Sequence, residues 1–448
     1  MNTFLLVLAW LTQADAATMK AGFARVNITP KSPIYLSGYA ARTKPSEGVL
    51  QPIWAKAIAI QDTKGLKTVI VTTDLIGLPR SVTDMVSARA LKDLGIERAR
   101  LLFNSSHTHS GPMVDGNLQA LFDLTPADEK AIQDYTRIVT EDLYRVLSGA
   151  IADLSPAVLS IGHGTADFAI NRRVSRMNAV SIGVNPKGPM DHDVPVIRVT
   201  TPDGKLRGVL FGYACHNTTL GGDLYQVNGD YAGFAQSEFE TSHPGAAAMF
   251  MLLCGGDQNP NPRGKVELAM QHGKSLSDSV SKVIGNKMDA ISGPIRAAYK
   301  VTQLNFKTHD RSVFENDLKD KLRAKVRRAE LMLKLYDERR PIRSIPYPVQ
   351  TLRFGKTLTL VALGGEVVVD YDLRIKKEFP GEHIIVAGYS NDVMCYIPSL
   401  RILKEGGYEA VDSMIYYGQP GPFDEHVEEA VMDGVYDAMK RVGRKPAK

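Results

Sequence analysis

Two histidines lie two residues apart, directly after a short apolar segment. His107 and His109 belong to the run Asn-Ser-Ser-His-Thr-His-Ser-Gly-Pro that begins at Asn104. Residues 99–103 before it have the composition of a buried strand, and the Ser-Gly-Pro that ends it breaks regular structure. In an extended segment residues i and i+2 point to the same side, so both imidazoles can face one cavity. The pair is a candidate metal site, or one ligand and one proton shuttle. Two incidental histidines in a surface loop would have the same spacing.

Three further polar residues also follow apolar segments. His216 comes after Leu-Phe-Gly-Tyr-Ala-Cys, while Asp257 and Glu366 each come after an apolar run that ends in Gly-Gly. A glycine pair lets the backbone turn sharply or approach a ligand closely, although a single Gly-Asp is more often an ordinary turn. Because sites of α/β proteins form outside strand ends, we expect these loops to converge with the histidine loop.

The segments that must position these residues alternate between strand-like and helix-like patterns. Apolar runs predict strands at 53–61, 68–73, 248–253, 352–354, 358–363 and 383–387, and a hairpin formed by 196–200 and 206–211. Helical spacing and capping signals predict helices at 81–94, 125–147, 266–283, 316–336, 366–377 and 426–440. The pattern predicts an α/β fold with a mixed β-sheet core and helices packed on the outside, in one large domain.

Composition and termini narrow the classes of function. Residues 1–16 contain a short apolar core and end in Ala-Asp-Ala, which predicts a signal peptide and an exported protein, periplasmic or secreted, with 17–448 as the mature domain. No later segment has the long apolar run of a membrane-spanning helix. The net charge of +5 comes without a basic stripe, which argues against a nucleic-acid partner. Cys215, Cys254 and Cys395 lie beside apolar runs and are expected to be buried thiols.

Several longer motifs occur together in one known enzyme family. They are His107-Thr108-His109-Ser110-Gly111-Pro112, Asn171-Arg172, Ala214-Cys215-His216, Gly229-Asp230-Tyr231 and Gly256-Asp257-x-x-Pro260-Asn261. From Ile28-Thr29-Pro30 to the region of Tyr396, the chain resembles the catalytic region of the neutral/alkaline, non-lysosomal ceramidases. These are zinc-dependent hydrolases of the amide bond of ceramide, in which metal-activated water attacks the carbonyl carbon.

The resemblance implies roles for individual residues. It implies Zn²⁺ held by His107, His216, Glu366 and Tyr396. It also implies that His109 and Arg172 lie beside the metal and contact the substrate or the tetrahedral intermediate. Two imidazoles, a carboxylate and a phenolate are ligands that suit zinc. His109 can move a proton to the leaving amine, and Arg172 can hold the developing oxyanion with its fixed fork of donors. From spacing alone, Arg172 and Arg173 also fit a solvated surface pair.

Three departures from the family pattern leave the substrate open. Asn259 stands in place of the serine in Gly-Asp-x-Ser-Pro-Asn, Asn27 stands in place of an aspartate, and the C-terminal immunoglobulin-like domain is expected to be absent. The first interpretation is hydrolysis of an N-acyl bond in ceramide or another N-acylated lipid, sugar or peptide. A two-metal phosphoesterase would use Asp74 and Asp257 with the three histidines. A binding protein on a decayed enzyme scaffold is the third interpretation. No Gly-x-Ser-x-Gly sequence supports a serine hydrolase.

Overall fold

Strands and helices alternate along the chain, as the sequence predicts. The computed structural model describes residues 19–176 and 179–447, so the predicted signal peptide lies outside the described residues. The strands are β1 (Lys20–Asn27), β2 (Gly48–Val49), β3 (Trp54–Gln61), β4 (Lys67–Thr73), β5 (Leu101–Ser105), β6 (Ser155–Pro156), β7 (Val158–Thr165), β8 (Ala169–Arg176), β9 (Ala179–Asn185), β10 (Asp193–Thr200), β11 (Leu206–Tyr213), β12 (Gln226–Val227), β13 (Ala247–Leu252), β14 (Gln258–Pro260), β15 (Asp289–Ile291), β16 (Ile295–Asn305), β17 (Ser344–Phe354), β18 (Leu358–Leu363), β19 (Glu366–Val367), β20 (His383–Ala387) and β21 (Tyr396–Ile397). The α-helices are α1 (Arg80–Leu94), α2 (Pro126–Ala152), α3 (Asp230–Ser242), α4 (Val266–Ile284), α5 (Arg311–Asp317), α6 (Arg323–Asp337), α7 (Val369–Glu378), α8 (Leu400–Glu405) and α9 (Val427–Arg441).

Three larger sheets are built on the same plan. Their strand orders are β5-β4-β3-β1-β6, β13-β11-β10-β7-β15 and β16-β17-β18-β20. In each sheet the neighbours are antiparallel except for one parallel pair, which is β4 with β5, β11 with β13, and β18 with β20. The predicted mixed α/β fold is therefore confirmed, with the strands divided among several sheets.

The three sheets share one apolar core, and helices cover their outer faces. Side chains from all three sheets pack together, among them Ile58, Leu210 and Leu360. Outside this core, α2 packs on β1 and β3, α3 and α4 pack on the second sheet, and α9 packs on β16 and β17. Cys215, Cys254 and Cys395 are buried free thiols, as expected. Among the described residues, no helix is both long enough and apolar enough to cross a membrane.

Asn104 joins the ends of three strands, one from each sheet. Its Oδ1 accepts the backbone N–H of Leu252 at 2.9 Å, and its Nδ2 donates to Leu252 O at 3.1 Å and Gly388 O at 2.9 Å. The side chain is 1% exposed. Because β5, β13 and β20 all end at this point, the loops that follow them meet in one place.

Most predicted elements are present within a few residues. Helix α1 ends at Gly95, which has φ +67°, and α2 begins with a capping box in which the side chains of Thr125 and Asp128 each accept the other's backbone N–H. Strands β10 and β11 form the predicted hairpin.

The prediction of a helix at 366–377 was wrong at its N-terminal end. Glu366 and Val367 form strand β19, which pairs in parallel with β21, and α7 begins only at Val369. Gly365 has φ +72°, and a Cβ there would lie 2.6 Å from Cys395 O. The sharp turn at this glycine lets the Glu366 N–H donate to Cys395 O, so tertiary pairing replaces the first helical turn.

The predicted helix at 316–336 is two helices, α5 and α6. Between them the Asp320 side chain accepts the backbone N–H of Leu322 at 2.9 Å and holds the turn that precedes α6. Buried Asp317, at the end of α5, pairs with Lys325 and Arg328 of α6. These ion pairs stabilise the fold-back, which the helical spacing of the sequence does not indicate.

Candidate active site

The histidine loop follows β5, but it is not extended as predicted. His107 has φ +61°, the left-handed conformation that few residues adopt. Its backbone N–H donates to Leu75 O, and the His109 N–H donates to Asn217 O. The two imidazoles nevertheless face one cavity, with their Nε2 atoms 3.1 Å apart. The predicted convergence is right, although a loop turn and not strand alternation produces it.

His107 and His216 are held by backbone carbonyls. His107 Nδ1 lies 2.5 Å from Ile76 O, and His216 Nδ1 lies 2.7 Å from Gly255 O. A carbonyl oxygen only accepts hydrogen bonds, so each Nδ1 carries the proton and each Nε2 presents its lone pair. This arrangement is the one that ligand histidines usually have in metal sites.

Glu366 and Tyr396 reach the same point from the short β19–β21 pair, where they are register partners. Glu366 Oε2 lies 3.0 Å from both His107 Nε2 and His216 Nε2. The Tyr396 hydroxyl lies 3.0 Å from His216 Nε2. The structure therefore brings together all four residues for which the family resemblance implies metal ligation.

The charges at this point suit a cation. Burial raises the pKa of the Glu366 carboxyl, but the adjacent His107 and His216 outweigh that effect and hold its pKa well below the usual range. Burial lowers the pKa of His216 to about 4, with Arg172 contributing. The site thus presents an ionised carboxylate and a neutral imidazole at neutral pH. Burial raises the pKa of the Tyr396 phenol well above its usual range, so a phenolate needs a cation beside it.

The geometry also allows a set of three histidines. One nitrogen each of His107, His109 and His216 lies within 4.8 Å of the others. However, His109 Nδ1 is buried without a hydrogen-bond partner among the described residues, so its ring is not oriented as those of His107 and His216 are. The set with Glu366 and Tyr396 fits a metal better, and no backbone carbonyl holds the His109 ring. Burial, together with His107 and His216, lowers the pKa of His109 well below its usual range.

Tyr417 and Tyr389, which sequence reasoning missed, support the carboxylate. The Tyr417 hydroxyl donates to Glu366 Oε1 at 2.5 Å, and the Tyr389 hydroxyl lies 3.4 Å from Oε2. Both tyrosines are mostly buried. Their contacts fix the carboxylate orientation, yet neither residue lies in a motif that would have marked it.

Arg172 is buried in the cavity wall, and the surface-pair interpretation of Arg172 and Arg173 was wrong. Both residues are 4% exposed. Arg172 Nε donates to Glu409 Oε1 at 2.7 Å, and its Nη2 donates to the Tyr396 hydroxyl at 3.0 Å. Arg173 pairs with the other oxygen of Glu409. Glu409 thus bridges two buried guanidinium groups, a role that its sequence context does not indicate.

Asp74 and Asp257 do not join the histidine cluster. Asp74 accepts hydrogen bonds from Trp54 N and Gln236 Nε2. Asp257 accepts them from Val369 N and Asn171 Nδ2, and burial raises its pKa to about 6. Because these carboxylates brace the backbone and neighbouring side chains, the described residues do not offer the ligand set of a two-metal phosphoesterase.

The cluster lies in a cavity of about 500 Å³. Its lining includes apolar Ile76, Leu118, Leu121 and Ile182, and aromatic Tyr39, Tyr396, Tyr408, Tyr416 and Tyr417. Asn259 also lines the cavity, whereas Asn27 is exposed at the end of β1 and accepts the Thr29 N–H. Of the two departures from the family pattern, only Asn259 can contact a molecule in the cavity, because Asn27 forms a turn outside it.

Comparisons with known proteins point to one enzyme family. The sequence model of the family described as neutral/alkaline non-lysosomal ceramidase, N-terminal, matches residues 19–305. The neutral ceramidase of Pseudomonas aeruginosa is 25% identical over 271 residues, which are 58% of this chain and 40% of that protein. That of Mycobacterium tuberculosis is 27% identical over 251 residues, 51% of this chain and 38% of that protein. The matched region thus spans about 40% of the length of these relatives.

The structural likeness extends beyond the matched sequence. The crystal structure of the Pseudomonas aeruginosa neutral ceramidase superposes with a TM-score of 0.73 at 18% identity, covering 97% of this chain and 76% of that chain. A ceramidase complexed with C2 gives a TM-score of 0.72 at 17% identity, covering 95% and 75%. The shared fold therefore extends well beyond residues 19–305. By its sequence and its fold, this chain belongs to the neutral/alkaline non-lysosomal ceramidase family.

Proposed function

We propose that this protein is a zinc-dependent hydrolase of N-acyl bonds, with ceramide or another N-acylated lipid as its substrate class. The observation that supports this most is the meeting of His107 Nε2, His216 Nε2, Glu366 Oε2 and the Tyr396 hydroxyl at contacts of 3.0 Å. Tetrahedral zinc has nitrogen and oxygen bonds of about 2.0–2.2 Å, which separates neighbouring ligand atoms by about 3.4 Å. The three pairs of atoms in contact need to spread by only a few tenths of an ångström to hold the ion.

The metal supplies one part of the chemistry, since bound zinc lowers the pKa of a water molecule to about 7 and makes hydroxide available at neutral pH. His109 then has the task of moving the proton. Its Nε2 lies 3.1 Å from His107 Nε2, and its ring is free of the carbonyl contacts that fix the other two histidines. A neutral imidazole here can accept the proton and deliver it to the leaving nitrogen.

Arg172 is proposed to hold the oxyanion that forms at the carbonyl. Its guanidinium is fixed by Glu409 and Tyr396, so its remaining N–H groups point in set directions. A preorganised cation in a buried site stabilises developing negative charge without having to reorganise. Burial disfavours this charge, but Tyr396 and Glu409 outweigh burial and keep the pKa of Arg172 well above its usual range.

The apolar lining is proposed to hold the acyl chain. Leu118, Leu121 and Ile182 line the cavity that contains the cluster, and an alkyl chain gains about 0.8 kcal/mol for each CH₂ group that it buries. The predicted signal peptide completes the proposal, in which residues 17–448 form one catalytic domain that acts after export.

The test is hydrolysis of a short-chain ceramide by protein loaded with one equivalent of zinc, with fatty acid and amine quantified by mass spectrometry. We expect both products in equal amounts, and their loss on chelation and return with zinc. Inactivity of the zinc-loaded protein on ceramides and on other N-acyl amines would favour a binding protein on this scaffold. Release of phosphate from phosphate esters instead would favour the phosphoesterase.

A further inference from the structure

One wall of the cavity differs from the family pattern and carries polar groups that the proposed reaction does not use. The wall is formed by β14 and the turn after it, where Asn259 and Arg263 both line the cavity. Asn259 replaces the family's serine. A hydroxyl both donates and accepts, whereas an amide separates these functions between two atoms. The orientation of the Asn259 amide therefore determines what the wall offers a substrate.

The orientation of Asn259 is fixed by its neighbours. Its Oδ1 accepts from Arg172 Nη1 at 3.2 Å and from Thr218 Oγ1 at 3.4 Å. Because a guanidinium only donates, the oxygen must face Arg172 and the NH₂ group must face away from it. Among the described residues this NH₂ group has no hydrogen-bond partner, and Asn259 is 6% exposed. The wall thus offers two N–H donors to whatever fills the cavity.

Arg263 adds a positive charge to the same wall. It is exposed at the cavity rim, and its Nη2 donates to the Tyr39 hydroxyl at 3.2 Å. No carboxylate in residues 19–176 or 179–447 forms an ion pair with it. The carboxylate of Asp223 also lines the cavity, and among the described residues it forms no ion pair with Arg263. Glu409, near Arg172, is already shared by two arginines.

We infer that this wall binds a carboxylate, and that the preferred substrates are N-acyl amines whose amine portion carries one, that is, N-acylated amino acids. A carboxylate has only acceptors, which match the donors of Asn259 and Arg263. A sphingoid amine presents hydroxyls, which cannot match a charge. The inference rests on the proposed amide hydrolysis. The C–N bond breaks, the carbonyl carbon gains the hydroxyl of water, the nitrogen gains its proton, and a fatty acid and a free amino acid leave.

The test compares two substrates that share an acyl chain, N-dodecanoylglycine and N-dodecanoylethanolamine. We expect the zinc-loaded protein to have at least about a tenfold higher kcat/KM for the glycine conjugate, because a charged hydrogen bond replaces a neutral one. Arg263→Gln should reduce the preference to about threefold or less, and Asn259→Ser should reduce it partly. The matched control is Arg137→Gln, which removes an arginine that is 71% exposed on α2 and should leave the preference unchanged.

A second measurement separates this inference from the proposed function. Calorimetry on the metal-free protein should show tighter binding of N-dodecanoylglycine than of the ethanolamide, lost in Arg263→Gln and weakened by salt. If the ethanolamide binds equally well or better, or if Arg263→Gln leaves the ratio unchanged, the carboxylate site is wrong. If no amide is hydrolysed but the calorimetric preference follows Arg263, the proposed function fails and the carboxylate site stands.

Discussion

Two clusters in this protein combine histidines with carboxylates. They differ in the contacts that the two nitrogens of each imidazole ring make. In the cavity, His107 and His216 donate from Nδ1 to backbone carbonyls, so both Nε2 atoms converge on Glu366. At the surface, His163 and His383 use one nitrogen each for a carboxylate, Asp193 at 2.9 Å and Asp289 at 2.8 Å. Their remaining nitrogens lie 2.9 Å apart.

The surface rings oppose each other head-on. The two ring planes are inclined by only 17°, and the ring centroids lie 5.0 Å apart. This separation is close to the sum of the nitrogen–nitrogen distance and the two distances from centroid to nitrogen, so the two nitrogens lie nearly on the line that joins the centroids. Such rings share a hydrogen bond, whereas ligands of one metal ion must direct their lone pairs to a common point. The side chains are 30% and 28% exposed, against 1% and 0% in the cavity. The two clusters contain the same residue types. They differ in the orientation of their imidazole rings and in how deeply their side chains are buried.

The largest difference expected between the two clusters is that the cavity carboxylate, Glu366, binds metal and the surface carboxylates do not. Glu366→Gln should weaken zinc binding by at least about 100-fold and abolish hydrolysis, because a neutral amide replaces the anion that faces both imidazoles. Asp193→Asn makes the same kind of change beside His163 and should leave zinc content unaltered. Zinc per chain is measured by plasma mass spectrometry after dialysis. Full zinc occupancy in Glu366→Gln would refute the assignment.

Within the cavity, His107 and His109 are expected to differ in whether they bind the metal. His109→Ala should keep zinc and lose about 10²- to 10⁴-fold in turnover, the scale of a positioned acid or base. His107→Ala should lose metal and turnover together. The surface control, His383→Ala, should retain both. Equal loss of zinc in the His107 and His109 variants would make His109 a ligand and would leave the proton transfer to another group.

Glu409 tests how much buried charge costs when its partner is removed. Glu409→Gln leaves Arg172 and Arg173 buried without their shared anion, so we expect the free energy of unfolding to fall by about 3 kcal/mol. Glu141→Gln, which removes the exposed partner of Arg89, should cost under about 1 kcal/mol. Urea denaturation measures both changes. Similar small losses in the two variants would mean that Glu409 does not hold the arginines.

The smallest effect is expected at the surface pair. His383→Ala should lower the free energy of unfolding by under about 1 kcal/mol, because its hydrogen bond with Asp289 is partly exposed and water can replace it. The measurement is again urea denaturation, at neutral pH and with zinc present. A loss above about 2 kcal/mol, or a loss of metal, would show that the two clusters do not differ in structural weight and in metal binding.

The sequence predicted which loops meet but not how they turn. Apolar runs before His107, His216 and Glu366 placed these residues at strand ends, and the structure confirms that position for each. The left-handed conformation of His107 and the β19–β21 pair depend on contacts with distant residues. Local spacing therefore predicted an extended loop and a helix at these two places.

The residues that support the site were not predictable from spacing. Tyr417 and Glu409 lie after the last recognisable motif and act on Glu366 and Arg172 only through the tertiary fold. The Arg172-Arg173 pair resembles a solvated surface, and only the position of Glu409 explains its burial. Side chains that position other side chains leave no periodic pattern in the sequence, because their partners are distant along the chain, by 51 residues for Tyr417 and Glu366 and by 237 for Glu409 and Arg172.

Anomalous diffraction at the zinc absorption edge, on crystals grown with one equivalent of zinc, tests the central claim most directly. We predict a single peak about 2.0–2.2 Å from His107 Nε2, His216 Nε2 and a Glu366 oxygen, with the Tyr396 hydroxyl completing the set. No peak is expected between His163 and His383. A peak bound by His107, His109 and His216 without Glu366, or a peak only at the surface pair, would contradict the account.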